Sequence, residues 1–168
     1  MNGLARIRAT IPHRYPVLLV DRVVSVEQGV RIRTRKAISA TESCYAGLPE
    51  DAPEEEYAYP LSRLLESWAQ SAVLLASWER PNADVLSGQV ELLTGLRGVE
   101  LLEPVRPGDV VEHEVIAVRE LPDAAIFRGE CAVDGRTAVR IGQLTVARRG
   151  AEVLRPAVPG PTGTGSRA

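Results

Sequence analysis

Lysine is almost missing from this chain: Lys36 is the sole one, and the rest of the 20 basic residues are arginine. That skew reads as coding bias and carries no function. Nor is there a surplus of positive charge. The formal net charge is −2, so a nucleic-acid-binding footprint is not expected. Cysteine is scarce, with only Cys44 and Cys131, far apart. Two distant cysteines predict free thiols in a reducing compartment rather than a disulfide scaffold. The opening "MNGLARIRAT" lacks the apolar core of a secretion signal, and no apolar run is long enough to span a bilayer. A cytoplasmic protein without membrane contact is the expectation. Histidine is equally scarce, at His13 and His113. With no histidine or cysteine spaced to assist the acidic residues, no metal site is predicted; no cofactor is expected either.

What is present fits one domain of 168 residues with an ordinary apolar share of 45%. "VLLVDRVVSVEQG" (17–29) is β-branched and ends on a turn. "VRIRTRKAIS" (30–39) alternates, with Val30, Ile32 and Thr34 on one face and Arg31, Arg33 and Arg35 on the other. Together they predict an antiparallel hairpin with one solvated side. Gly47, Pro49 and Pro53 make 41–59 a loop, rich in acid at Glu50, Asp51, Glu54, Glu55 and Glu56. Pro60 suits the first position of a helix. Leu61, Leu64, Leu65, Trp68, Ala72, Leu75 and Ala76 follow at spacings of three and four, the stripe of a helix that ends before Pro81. It is the one strong helical pattern in the chain. Four further strand patterns occupy 85–101, 109–121, 124–133 and 136–149, with turns at "PVRPGD" and "DG". The expected organisation is one domain over 1–149 and a flexible Pro/Gly-rich tail over 150–168.

Ser62, Glu66 and Gln70 recur four apart and share one face of that helix, beside the apolar stripe. A glutamate next to Leu65 and Trp68 is expected to lose solvation, which favours its protonated form. The bland reading of Glu66 is an ordinary helix charge at the stripe's edge. The arginine row reads first as a solvated strand face, and secondarily as a contact for a phosphate or an acidic protein. His113 is read as a solvent-facing strand residue. The acidic run is read as a mobile, solvated loop.

Three stretches together resemble the FabZ-type (3R)-3-hydroxyacyl-acyl-carrier-protein dehydratases. "IPHRYPVLLVDRV" (11–23) is similar to the family's opening signature. "PLSRLLESWAQSA" (60–72) is similar to its central helix, with Pro60, Leu64, Glu66, Ala69, Gln70 and Ala72 in register. "LLTGLRGVELLEPVRPGD" (92–109) is similar to the strand that ends in P-V-x-P-G-D. The likeness spans roughly residues 10 to 149.

The resemblance implies an α+β hotdog fold, a curved antiparallel sheet around one long central helix, and a dimer joined sheet edge to sheet edge. It implies removal of water from a 3-hydroxyacyl chain held on the phosphopantetheine arm of an acyl carrier protein, in fatty-acid or polyketide/polyene biosynthesis. In that reaction a histidine takes the proton beside the thioester carbonyl. A carboxylic acid on the other subunit's central helix protonates the departing hydroxyl, and backbone N–H groups hold the carbonyl. Carried onto this sequence, Glu66 is the acid and Gln70 its orienting partner. Gly47, Leu48, Pro60, Leu61 and Ser62 surround the substrate. His13, Arg14, Tyr15, Asp21 and Arg22 belong to the structural signature, with Arg14 and Tyr15 anchoring the first turn and Asp21 and Arg22 pairing or capping locally.

The departures bear on function. Leu48, in "GLPED", stands where the family carries its basic histidine, and leucine accepts no proton. Leu61 replaces a glycine that approaches the thioester. The loop from Gly47 to Pro60 is longer than the family's and more acidic. Glu100, Leu102 and Glu103 stand where the family carries basic residues that face an acidic carrier protein. The expectation is a dehydratase-like subunit that is inactive alone and lends Glu66 to a heterodimer with a histidine-bearing homologue. A homodimer stays open. The alternatives are a non-catalytic acyl-binding or scaffolding subunit, and a hotdog thioesterase in which Glu66 activates water. A self-sufficient enzyme would need Tyr45, Cys44 or a water as its base.

Overall fold

The computed structural model describes residues 3–154. Its order is α1 (Leu4–Thr10), β1 (Arg22–Glu27), β2 (Arg31–Ala37), α2 (Leu61–Ser77), β3 (Gln89–Leu101), β4 (Val110–Glu120), β5 (Ala124–Val133) and β6 (Arg136–Gly150). Short 3-10 turns lie at Ser43–Tyr45, Glu54–Tyr57 and Ala151–Leu154. The six strands form one antiparallel sheet in the order β1-β2-β4-β5-β6-β3. The sheet curves round α2, which packs on β2, β4 and β5. This is the α+β hotdog arrangement that the family resemblance implies.

Alternation dictates the sheet. In β2 every second residue points inward, so Ile32, Thr34 and Lys36 are buried while the arginines between them face out. Val30 falls outside the strand, in the turn that Gly29 makes at a φ of 69°. Ladder shifts at Val23/Ser25, Leu93/Gly95 and Ala117/Arg119 bend the strands and add to the curl.

The central helix is 17 residues long. Pro60 sits at its N-cap rather than inside the first turn. More of it is buried than the apolar stripe predicts. Leu64, Trp68, Ala72 and Leu75 are buried as expected, and so are Ser67, Gln70, Ser71 and Ser77. The small serines let the helix approach the sheet closely, and Ser67 and Ser71 find partners there. Ser71 Oγ donates to the carbonyl of Ser67 and shares a 2.7 Å hydrogen bond with Thr34. Ser67 Oγ lies 2.8 Å from His113 Nε2.

That last contact corrects the reading of His113, which is fully buried rather than solvent-facing. Its strand places it on the inner face with Val111 and Val115. Its Nδ1 lies 3.2 Å from Cys131 Sγ, so Ser67, His113 and Cys131 form one buried polar clip between helix and sheet. The two expected free thiols are both free.

Trp68 fixes the height of α2. Its Nε1–H donates to the carbonyl of Glu114 at 2.9 Å. A Cβ at Gly129 would meet both that Glu114 carbonyl and the Trp68 ring, so glycine lets the indole lie flat on the β4–β5 ladder. Trp68→Phe removes the donor and with it the hydrogen bond to the Glu114 carbonyl. It should destabilise the fold by roughly 1–3 kcal/mol, read as a lower denaturant midpoint.

α1 is the element that the sequence reading did not predict. Its seven residues bury Ile7 and Thr10, too few for a visible stripe. At the other end the fold runs past Arg149: Gly150 closes β6, and the Ala151 N–H donates to the Gly88 carbonyl. Residues 150–154, expected in the tail, thus belong to β6 and the turn after it, and the rest of the expected tail, 155–168, lies outside the described residues. No helix among the described residues is long and apolar enough to cross a membrane.

Candidate active site

Gln70 is the fixed point of the helix face that carries Glu66. It is buried, and its amide is used fully. Oε1 accepts the N–H of Leu19 at 2.9 Å, and Nε2 donates to the Val17 carbonyl at 2.6 Å and to Glu66 Oε1 at 2.7 Å. The opening segment, the helix and the carboxylate are thus tied by one side chain. Gln70→Ala orphans the Leu19 N–H and Val17 carbonyl and should lower stability by roughly 1–3 kcal/mol, seen as a lower melting temperature.

Glu66 itself is exposed in the single chain, with 46% of its side chain accessible, so the expected desolvation is not found there. Ser62, one turn earlier, is exposed too, and Leu61 is half-buried against the core. Gln70 holds Oε1, which leaves Oε2 the open oxygen of the carboxyl. His13 Nε2 lies 3.8 Å from Glu66 Oε1. Burial lowers the His13 pKa, Glu66 opposes this, and Arg14 adds to it.

The remaining signature residues divide. Arg14 anchors the first turn, donating to the carbonyls of Ile11, His13 and Arg8. Tyr15 anchors nothing, being 95% exposed. Asp21 caps β2 by accepting the Ala37 N–H at 2.8 Å. Arg22 is exposed and shows no ion pair with Asp21 among the described residues.

Leu48 packs against the core, and its N–H donates to the Tyr45 carbonyl. Gly47 stands in open space. No nearby group is activated as a base. Desolvation pushes the Tyr45 phenol up to about 12 and raises the Cys44 thiol.

The loop before the helix holds a group that the sequence reading missed. Glu42 accepts from buried Lys36 at 2.6 Å and from the Tyr59 hydroxyl at 2.9 Å, and pairs with Arg63 at 3.5 Å. Tyr45, Tyr57 and Tyr59 pack side by side over it. The acidic loop is therefore pinned at both ends, not free throughout. The signal was present: β2 alternation puts Lys36 on the inner face with Ile32 and Thr34, where a cation requires a partner.

The arginine row is already occupied. Arg31 pairs with Glu27, and Arg33 and Arg35 both reach Glu112. The Arg35 hydrogen bond holds the Glu112 carboxyl below its ordinary pKa. This is the solvated strand face. Glu100 and Glu103 pair with Arg140 and Arg136. A cavity of about 810 Å³ lies at the far end of α2, around Arg80, Glu120 and Arg148, and none of the candidate site residues lines it. Among the described residues no group of histidine, cysteine or acidic side chains could hold a metal ion.

No family model matches the chain. It is 33% identical over 147 residues to the 3-hydroxyacyl-[acyl-carrier-protein] dehydratase FabZ of Magnetococcus marinus strain MC-1, covering 88% of this chain and 92% of that one. It is 36% identical over 143 residues to FabZ of Mannheimia succiniciproducens, covering 85% and 90%. In structure it is similar to a chain of the dehydratase heterocomplex ApeI:P from Xenorhabdus doucetiae, with a TM-score of 0.70 at 19% identity, over 88% of this chain and 93% of that one. A weaker likeness, TM-score 0.55 at 16% identity over 76% and 92%, is to the phenylacetic acid degradation protein PaaI from Thermus thermophilus.

Proposed function

This chain belongs to the FabZ family of 3-hydroxyacyl-[acyl-carrier-protein] dehydratases, and from that premise we propose that it is a dehydratase-like subunit that contributes Glu66 as acid to a site completed by a histidine-bearing homologue. The observation that carries the reading is the pairing of an intact acid half with a missing base. Glu66 is held by Gln70 on the central helix, while Leu48, packed against the core, stands at the position of the family's basic histidine. The substrate class is a 3-hydroxyacyl thioester on an acyl carrier protein, as the relatives' names state for them. One structural relative comes from a dehydratase heterocomplex, and that supports a hetero-assembly for this chain.

The chemistry divides accordingly. The partner's histidine takes the proton next to the thioester carbonyl. Glu66 gives a proton from Oε2 to the β-hydroxyl, the C–O bond breaks, and water leaves. Exposure of Glu66 in the single chain suits a residue that a second subunit covers. β3 forms one edge of the sheet, 13 residues long, with Leu93 and Leu101 exposed, and a second sheet across that edge would shield it.

The test is reconstitution. The purified chain, incubated alone with a 3-hydroxyacyl-carrier protein, should show no loss of water from the acyl group by mass spectrometry. Addition of a histidine-bearing homologue should restore it beyond that homologue's own rate. Water loss by the chain alone would overturn the missing-base reading. Release of the whole acyl group would overturn the dehydratase reading in favour of a thioesterase.

A further inference from the structure

Next to Glu66 the chain holds an apolar cavity that the proposed chemistry leaves unused. It measures about 150 Å³, and Pro12, Val73, Val90 and Leu92 supply its apolar walls. His13 joins it to the acid, since that residue lines the cavity and its Nε2 lies 3.8 Å from Glu66 Oε1. Ser77 lines it too. Glu66, Val73 and Ser77 follow at i, i+7 and i+11, so they share one stripe of α2. The cavity therefore extends from the neighbourhood of Glu66 toward the C-terminal end of the helix.

There it meets the cavity of about 810 Å³ that holds Arg80, Glu120 and Arg148. Four polar residues, Ser77, Asn82, Gln89 and Glu91, line both cavities and so form a partition between them. Their positions are fixed by hydrogen bonds. Asn82 Nδ2 donates to the carbonyls of Ser87 and Gln89, and the Asn82 N–H donates to the Thr10 carbonyl at 3.1 Å. Glu91 Oε1 accepts Arg148 Nε–H at 2.9 Å, in an ion pair that is almost wholly shielded from solvent. A hydrocarbon tail entering from the Glu66 end gains by leaving water until it reaches this partition. Past it, each further carbon would take water from polar groups without offering a hydrogen bond in return, which costs free energy.

We propose that Ser77, Asn82, Gln89 and Glu91 are specificity-determining residues that stop the substrate's acyl tail and restrict the chain to medium-length 3-hydroxyacyl groups. This rests on the reading of the substrate as a 3-hydroxyacyl thioester. C3, with its hydroxyl, stays at Glu66, and the carbons from C4 onward fill the cavity. An apolar cavity of this volume takes a group of about benzene's size, or roughly six carbons, so the limit falls at roughly nine carbons in all.

The experiment is calorimetric titration of the full chain, without a partner, with pantetheine amides of straight saturated acids of increasing length. An amide in place of the thioester is not consumed, and its binding needs neither a base nor the proton of Glu66. Affinity should rise about fourfold per added methylene and stop rising at roughly nine carbons. Val73→Phe fills part of the cavity and should move that break to a shorter chain. Asn82→Ala removes the amide that closes the partition and should move it to a longer one. Affinity that keeps rising to the longest amide, no dependence on length, or a break unmoved by Val73→Phe overturns the proposal. If a variant does not fold, the position of the break in the wild type decides. Failure here is separable from failure of the underlying reading. If the break is found but Glu66→Gln leaves turnover of the reconstituted pair intact, the acid assignment falls and the partition stands. If turnover needs Glu66 but is equal for all chain lengths, the partition falls and the acid stands.

Discussion

Glu66→Gln should lower water loss by the reconstituted pair by roughly 10²–10⁴-fold, the range over which a positioned general acid contributes. The substitution keeps the side chain's shape and removes only its capacity to give up a proton. The new amide's oxygen can still accept from Gln70, whose other two hydrogen bonds clamp Val17 and Leu19 and do not involve position 66. Since the side chain is exposed, the melting temperature should move little, by the equivalent of at most about 0.5 kcal/mol. A large loss of turnover in a protein of unchanged stability assigns the chemistry to this carboxyl. Unchanged turnover would favour the scaffolding reading, in which the chain supports its partner and its own Glu66 is an ordinary helix charge.

How much of this was legible in the sequence depends on what each residue's neighbours in the chain reveal. Strand and helix positions were legible because alternation and a three-to-four spacing are local signals, and β4, β5 and β6 fall within one residue of the expected patterns. The link from Gln70 to Glu66 was legible because residues four apart on a helix are neighbours. What joins elements distant in sequence was not legible. His113 lies in "VEHEV", where flanking glutamates suggest a wet strand, yet the period of two puts those glutamates outside and the histidine inside. Its partners Ser67 and Cys131 come from other elements. Tyr15 and Arg14 are adjacent, but only Arg14 is turned onto the backbone. The exposure of Glu66 reflects a surface that one chain leaves open. The apolar stripe beside it predicts burial, and in a single subunit nothing covers that side.

The buried clip carries the second large effect, on stability in acid. Desolvation, with Lys36 adding repulsion, pulls the His113 pKa down from 6.5 to about 3. In the unfolded chain the same imidazole titrates near 6.5. Above that pH both states hold it neutral, and His113 imposes no pH dependence. Below it the unfolded state takes up a proton that the folded state refuses until about pH 3. The fold should therefore lose about 1.4 kcal/mol per pH unit across that window, and roughly 5 kcal/mol by its acid end, from this group alone. The depressed pKa of His13 acts in the same direction over a window of its own. Denaturant midpoints measured between pH 7 and pH 4 should fall steadily in the wild type and more gently in His113→Gln, which keeps a polar group opposite Ser67. If that variant does not fold, an NMR titration of the wild type isolates the same quantity: His113 should stay neutral down to pH 4 while the protein remains folded. Protonation of folded His113 near pH 6, or equal acid sensitivity in the two proteins, would mean that the Ser67–His113–Cys131 clip is not sealed from water and that α2 sits less tightly on the sheet than its serines allow.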